Sequence, residues 1–249
     1  IMQFSSLSVS ALLAPILVTA KVSVEFDGRH LAGSNCGCTD GNPVIEVNGN
    51  DFRDLIATCI NDGEDCPGPL SCWNTSEVTD MASAFYEQGS FNDPLECWNT
   101  SQVTRMDGMF YRASSYNQSL DKWNTSLVLN MSLMFYNATN FNQSIDTWNT
   151  SLVGGMQSMF DRASSFDQSL DGWNVSQVYT MRTMFSKATS FNQCLSTWAE
   201  KTSTRKASSY LPLSTAYMLE GTNCPESDEP NSELGPWCQN FEQGCYAPG

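Results

Sequence analysis

The chain has 249 residues, the upper range of one domain, and its 27 acidic against 12 basic side chains leave a net charge of −15. With that balance and a single histidine, nucleic acid and anionic membrane surfaces are excluded as partners, because phosphate binding needs a basic footprint. The acid excess runs along the whole chain and reads as a solubility property.

Residues 1–20 read as a secretory signal. Leu12, Leu13, Ile16, Leu17 and Val18 form a short apolar core, and Val18-Thr19-Ala20 is a small-residue cleavage site. That core is too short to span a bilayer and no second hydrophobic run exists, so no transmembrane span is expected. Ten cysteines, an even number, then read as disulfides of an oxidising compartment. They are absent between residues 98 and 193, which suggests stapled caps around a core that holds itself together. A zinc site is the weaker rival, since Cys36-x-Cys38 is too tight and His30 stands alone.

Residues 21–72 form an N-terminal cap. Val44-Ile45-Glu46-Val47 suits a strand. Asn50 or Asp51 can cap a helix from Phe52 to Ile60, whose apolar face is Phe52, Leu55, Ile56, Cys59 and Ile60, and Asn61-Asp62-Gly63 ends it. Asp65-Cys66-Pro67-Gly68-Pro69 is a turn that leads the chain to Trp73.

Residues 73–197 are five copies of a 25-residue unit, W-N-T-S-x-V-x-x-M-x-x-M-F-x-x-A-x-x-F-N-Q-S-L-x-x, which opens at Trp73, Trp98, Trp123, Trp148 and Trp173. In one unit, Ser119 to Trp123 is extended, Asn124-Thr125-Ser126 is a turn, and Val128 starts a second inward run. Met131, Met134, Phe135 and Ala138 have the i, i+3, i+4, i+7 spacing of a short helix. The expected fold is an α/β solenoid, leucine-rich-repeat-like, with short parallel strands alternating with short helices and disulfide-stapled caps. One unit cannot bury its Trp, Val, Met, Phe, Ala and Leu columns, but stacked neighbours can. Trp198 lacks the N-T-S-x-V of the other units, so repeat character is expected to end there and 198–249 to form a Cys-rich C-terminal cap.

The repeated unit resembles the BspA-like leucine-rich-repeat surface proteins, over Trp73 to about Trp198 and through five copies. The helical cap and Cys-rich lead into the first Trp also look like secreted members from marine microalgae. The resemblance implies a leucine-rich-repeat-like solenoid, a secreted or cell-surface place, a role in adhesion or recognition, and no catalytic residues.

Several columns are candidates for chemistry. Glu96, Asp121, Asp146 and Asp171 share one position of four units; they read as a Ca²⁺ or basic-ligand track, or more plainly as a solvated acidic stripe. The N-x-S/T asparagines of W-N-T-S, at 74, 99, 124, 149 and 174, read as a stacked ladder unsuited to glycans, and Asn117 and Asn142 share that doubt. Asn130 and Asn137 sit in variable, hence solvent-facing, columns and are the preferred glycosylation sites. Thr75, Thr100, Thr125 and Thr150 form a column that on a flat sheet can bind ice or sugar, though Thr is also simply a good turn residue and Val175 breaks the row. Cys72 and Cys97 directly precede adjacent repeat tryptophans, and the column spacing of ~4.8 Å suits a disulfide between them. Cys194, Cys224, Cys238 and Cys245 are then left to pair at the other end. No Gly-rich phosphate loop or H-E-x-x-H is present, and the chain is read as non-enzymatic, without a cofactor.

The leading functional expectation is an extracellular binding or adhesion module for a protein or glycan partner. The alternative is self-association, as a structural subunit of an extracellular matrix or filament. The caps discriminate, because a binding monomer needs both ends sealed.

Overall fold

The computed structural model describes Cys38, residues 43–61, 63, 66–195, 197–203 and 213–224, and Cys238, without the side chains of 199, 200 and 203. The signal-like segment, His30, Cys36 and Cys245 lie outside the described residues.

The first helix, α1, spans Gly49–Asn61 and carries Asp51 in its first turn, where a carboxylate suits the helix dipole. Its start is tied to the first unit: Asn48 Oδ1 accepts the Thr79 and Asp80 N–H groups, and Gly49 N–H donates to Asp80 O. Its apolar face buries Phe52 and Ile56, with the Phe52 ring 6.2 Å from Trp73 and 5.6 Å from Trp98. Gly63, at φ 65°, closes the C-terminus by donating to Thr58 O, five residues back.

From Trp73 the chain winds in turns of 25 residues, each lying directly on the last. Two kinds of backbone hydrogen bond alternate along Met106 to Arg112. Met106, Gly108, Phe110 and Arg112 donate forward to Asn130, Ser132, Met134 and Tyr136, while Met109, Tyr111 and Ala113 donate three residues back to close tight turns. The same alternation recurs in every unit. It is permitted by left-handed residues in two columns, Ser83, Gly108, Leu133, Ser158 and Thr183, and Glu87, Arg112, Asn137, Arg162 and Lys187.

The expected α/β solenoid is not formed. Among the described residues no strand exists, only isolated parallel bridges that run Asp80, Arg105, Asn130, Gly155, Thr180, Ser214. Val44 to Val47 likewise contributes one bridge, Val44 to Asn74, and no strand. Nor, among the described residues, does any unit contain a helix before α2 begins at Thr197. Stacked phenylalanines of adjacent units lie 5.2 to 5.5 Å apart, whereas packed helices need about 8–10 Å between axes. Met131, Met134, Phe135 and Ala138 all point inward at 0% exposure, as the spacing predicts, but a series of tight turns puts them there. A leucine-rich-repeat pattern of alternating strand and helix is therefore absent.

The core is a set of ladders. Trp73, Trp98, Trp123, Trp148, Trp173 and Trp198 stack at 6.2 to 6.4 Å with nearly parallel planes. Each indole N–H donates to a backbone carbonyl, Trp123 to Leu95 at 3.0 Å and Trp148 to Leu120 at 3.0 Å. At Trp198 the chain forms α2, Thr197–Ser203. Repeat bonding then resumes in residues 213–224: Met181, Thr183, Phe185 and Lys187 donate to Ser214, Ala216, Met218 and Glu220, and Met218 and Leu219 cover the fifth unit. A partial sixth unit thus lies beyond α2, where repeat character was expected to have ended.

One staple differs from expectation too. Cys72 pairs with Cys38, at a Cα separation of 5.8 Å, and not with Cys97. Column neighbours hold their Cβ atoms side by side, whereas a disulfide needs them turned toward each other, so column spacing alone does not suffice. Cys97 and Cys194 are nonetheless disulfide-bonded. Cys59 pairs with Cys66, and Cys224 with Cys238.

Candidate binding surface

Two polar columns are internal struts. Thr75, Thr100, Thr125 and Thr150 are at most 2% exposed, so they offer no ice- or sugar-binding face. Each hydroxyl donates to the Asn carbonyl one unit on, Thr125 to Asn149 at 3.1 Å and Thr150 to Asn174 at 2.9 Å. Val175 ends the column because Trp198 enters α2, and no N-T-S turn lies above it to accept a bond. The asparagine ladder also exists, but in the F-N-Q column. Asn92, Asn117, Asn142 and Asp167 each accept, through Oδ1, the N–H of residues Asn117, Asn142, Asp167 and Asn192 in the next unit. Gln143, Gln168 and Gln193 brace the same oxygens.

The W-N-T-S asparagines are no such ladder. Their Oδ1 atoms accept the N–H of their own units' serines, Ser126 for Asn124 and Ser151 for Asn149, at 3.0 and 3.1 Å. Asn124, Asn149 and Asn174 are exposed, while Asn130 and Asn137 are half-buried. The order of accessibility is therefore the reverse of that expected. Asn130 is a bridge residue whose Oδ1 accepts Ser132 N–H, and Asn137 holds φ 53°.

The acidic column does not converge. Glu96 pairs with Lys122 at 3.0 Å, Asp121 accepts Ser119 Oγ–H, Asp146 accepts Gly172 N–H and Asp171 accepts Thr197 Oγ1–H. Among the described residues no group of three or more His, Cys, Asp or Glu is placed to hold a metal ion. The Met columns are wholly buried. A cleft of about 340 Å³ lies between the Cys59–Cys66 disulfide and Phe91, with Asp93 as its one carboxylate. No helix among the described residues is long and apolar enough to cross a membrane.

One column has no evident duty in the stack. Tyr86, Tyr111 and Tyr136 form an outer ladder, with ring centroids 4.7 Å apart at both steps and planes within 3° and 7°. Tyr86 is 41% exposed. Burial raises the Tyr111 phenol above its ordinary value, against the opposing charge of Arg112. Beside it runs Glu87, Arg112, Asn137, Arg162 and Lys187. Arg112 bonds Glu87 at 2.8 Å and stands 5.3 Å from the Tyr111 ring centre. In the fourth unit Asp161 takes the tyrosine's place. Its side chain is 15% exposed, its Oδ1 has no hydrogen-bond partner, and Arg162 Nε is 3.7 Å away. Burial holds this carboxyl above its usual value, with Arg162 and Lys187 opposing and Glu220 reinforcing. Periodicity does not single this column out, because it is aromatic in only three units.

Among protein families, a model described as "Mycoplasma protein of unknown function, DUF285" matches residues 57–131 and 118–217, together more than half of the chain. These matches give no support to the BspA-like leucine-rich-repeat assignment. No curated protein and no solved structure matches.

Proposed function

The chain belongs to the DUF285 family, and from that premise we propose that it is an extracellular surface module that binds a protein or glycan partner along the Tyr86–Tyr111–Tyr136 ladder. The observation that carries this reading is the ladder itself. The interior columns are explained by the stack, whereas an outer row of three stacked phenols is not, since Asp161 and Ser186 serve in the same column elsewhere. The ring faces are spent on one another, so the row offers edges and hydroxyls at one-unit spacing to a partner extended along the stack. Tyrosine supplies such contact area at low entropic cost. The disulfides favour an oxidising, extracellular place.

A filament-forming subunit would leave an end of the stack open. Both ends carry covers: α1 lays Phe52 on Trp73 and Trp98, and residues 213–222 lie on the fifth unit. That favours the binding monomer. Size-exclusion chromatography with light scattering tests the choice. A constant monomer mass over a hundredfold concentration range is expected, and a mass that grows with concentration would favour the structural subunit.

A further inference from the structure

Nine N-x-S/T sequences lie in the repeats, and the fold sorts them. Asn117 and Asn142 are half-buried and committed, since each Oδ1 accepts both a backbone N–H and a glutamine amide of the next unit. Asn130 and Asn137 are half-buried, one in the bridge column and one in a left-handed turn. Asn74 and Asn99 have the W-N-T-S turn but are half-buried beside the cap. Asn124, Asn149 and Asn174 are exposed. Their Oδ1 atoms take the serine N–H two residues on, which leaves each Nδ2 unbonded.

We propose that Asn124, Asn149 and Asn174 are N-glycosylation sites that accept an oligosaccharide from a polyprenyl-pyrophosphate donor as the chain passes through a secretory pathway. The inference rests on the extracellular placement proposed above. In the transfer, Nδ2 bonds to C1 of the first sugar and loses one proton. The C1–O bond to the pyrophosphate breaks, and the lipid pyrophosphate leaves with its electron pair. The Asx turn folds the serine back toward the asparagine, so the sequon's hydroxyl residue and its amide share one tight loop. The stack then acts as a filter. A glycan on Asn117 or Asn142 would displace ladder bonds between units, whereas one on Asn124 leaves the Thr125 strut and every inter-unit bond in place. These sites lie in a different column from the tyrosine ladder.

The test is secretion of the full chain from eukaryotic cells behind an added, proven leader. Enzymatic deglycosylation in ¹⁸O water then marks each formerly modified asparagine for peptide mass spectrometry. Label at Asn124, Asn149 and Asn174, and none at Asn117 or Asn142, is expected. Ser126→Ala, Ser151→Ala and Ser176→Ala together keep the N–H groups that hold the turns but remove the sequons, and should abolish the mobility shift of the secreted chain. Label chiefly at Asn130 and Asn137, or a secreted chain with no label, overturns the inference. Because the added leader forces entry, that failure is distinct from failure of the binding reading, which the tyrosine ladder decides.

Discussion

Thr125→Val is the sharpest probe of how the units hold together. Thr125 is 1% exposed, and its hydroxyl donates to Asn149 O at 3.1 Å. Valine fills nearly the same space, so the change opens almost no cavity and removes one bond. It leaves the Asn149 carbonyl, in a part-buried contact, facing a methyl without that donor, at a cost of about 1–3 kcal/mol. Thr125→Ser keeps the bond and loses one methyl, at a cost of about 0.8 kcal/mol. The fifth unit supplies the reciprocal experiment. Val175 is fully buried, with no N-T-S turn above it, so Val175→Thr places a hydroxyl where no strut can form and should also destabilise, by about 1–3 kcal/mol. Urea unfolding followed by tryptophan fluorescence reads these shifts as midpoint changes at constant m. A Thr125→Val midpoint equal to that of the parent, or lying above that of Thr125→Ser, would refute the strut.

Trp123→Ala removes a ring stacked at 6.4 Å on both sides and its bond to Leu95 O, and should cost about 3–5 kcal/mol in the same melts. Tyr116→Phe should stabilise by on the order of 1 kcal/mol, because the Tyr116 hydroxyl is buried with no partner in a column otherwise made of phenylalanine; a loss of stability would reveal a bond to that hydroxyl. Asp161→Asn tests the raised carboxyl. A folded-state pKa above the unfolded one means the native chain binds the extra proton, so the parent loses stability as pH rises from the unfolded value, about 3.9, through the folded one. The variant should therefore melt higher than the parent at pH 7, with the gap closing below about pH 4. A gap independent of pH would sink that assignment.

The 25-residue period and the inward columns were legible in the sequence because burial repeats with the unit. The local backbone was not. Met131, Met134, Phe135 and Ala138 point inward whether the chain is helical or folded in tight turns, and only the unit spacing of about 5 Å decides between them. The left-handed residues gave no warning, because Leu133, Ser158 and Thr183 hold that conformation where only Gly108 announces it. The asparagine ladder had a readable mark. Asp167 replaces Asn in the F-N-Q column, a change that keeps the acceptor and drops the donor, as a ladder of accepting oxygens allows. The partial sixth unit is hard to see because it comes after α2, at a longer interval than 25 residues, and carries Leu219 where the others carry Phe. The tyrosine ladder is written plainly at Tyr86, Tyr111 and Tyr136, but its meaning depends on the column facing outward, which periodicity alone does not say.

Whether Tyr86, Tyr111 and Tyr136 form a binding face is decided most directly by binding of the purified chain to an array of extracellular glycans and matrix proteins, with Tyr111→Ala as the paired variant. A ligand bound by the parent is expected, with at least tenfold weaker binding by Tyr111→Ala, about 1.4 kcal/mol, measured at a temperature where both chains are folded. Equal binding by the two chains, or no binding by either, would contradict the assignment of that face.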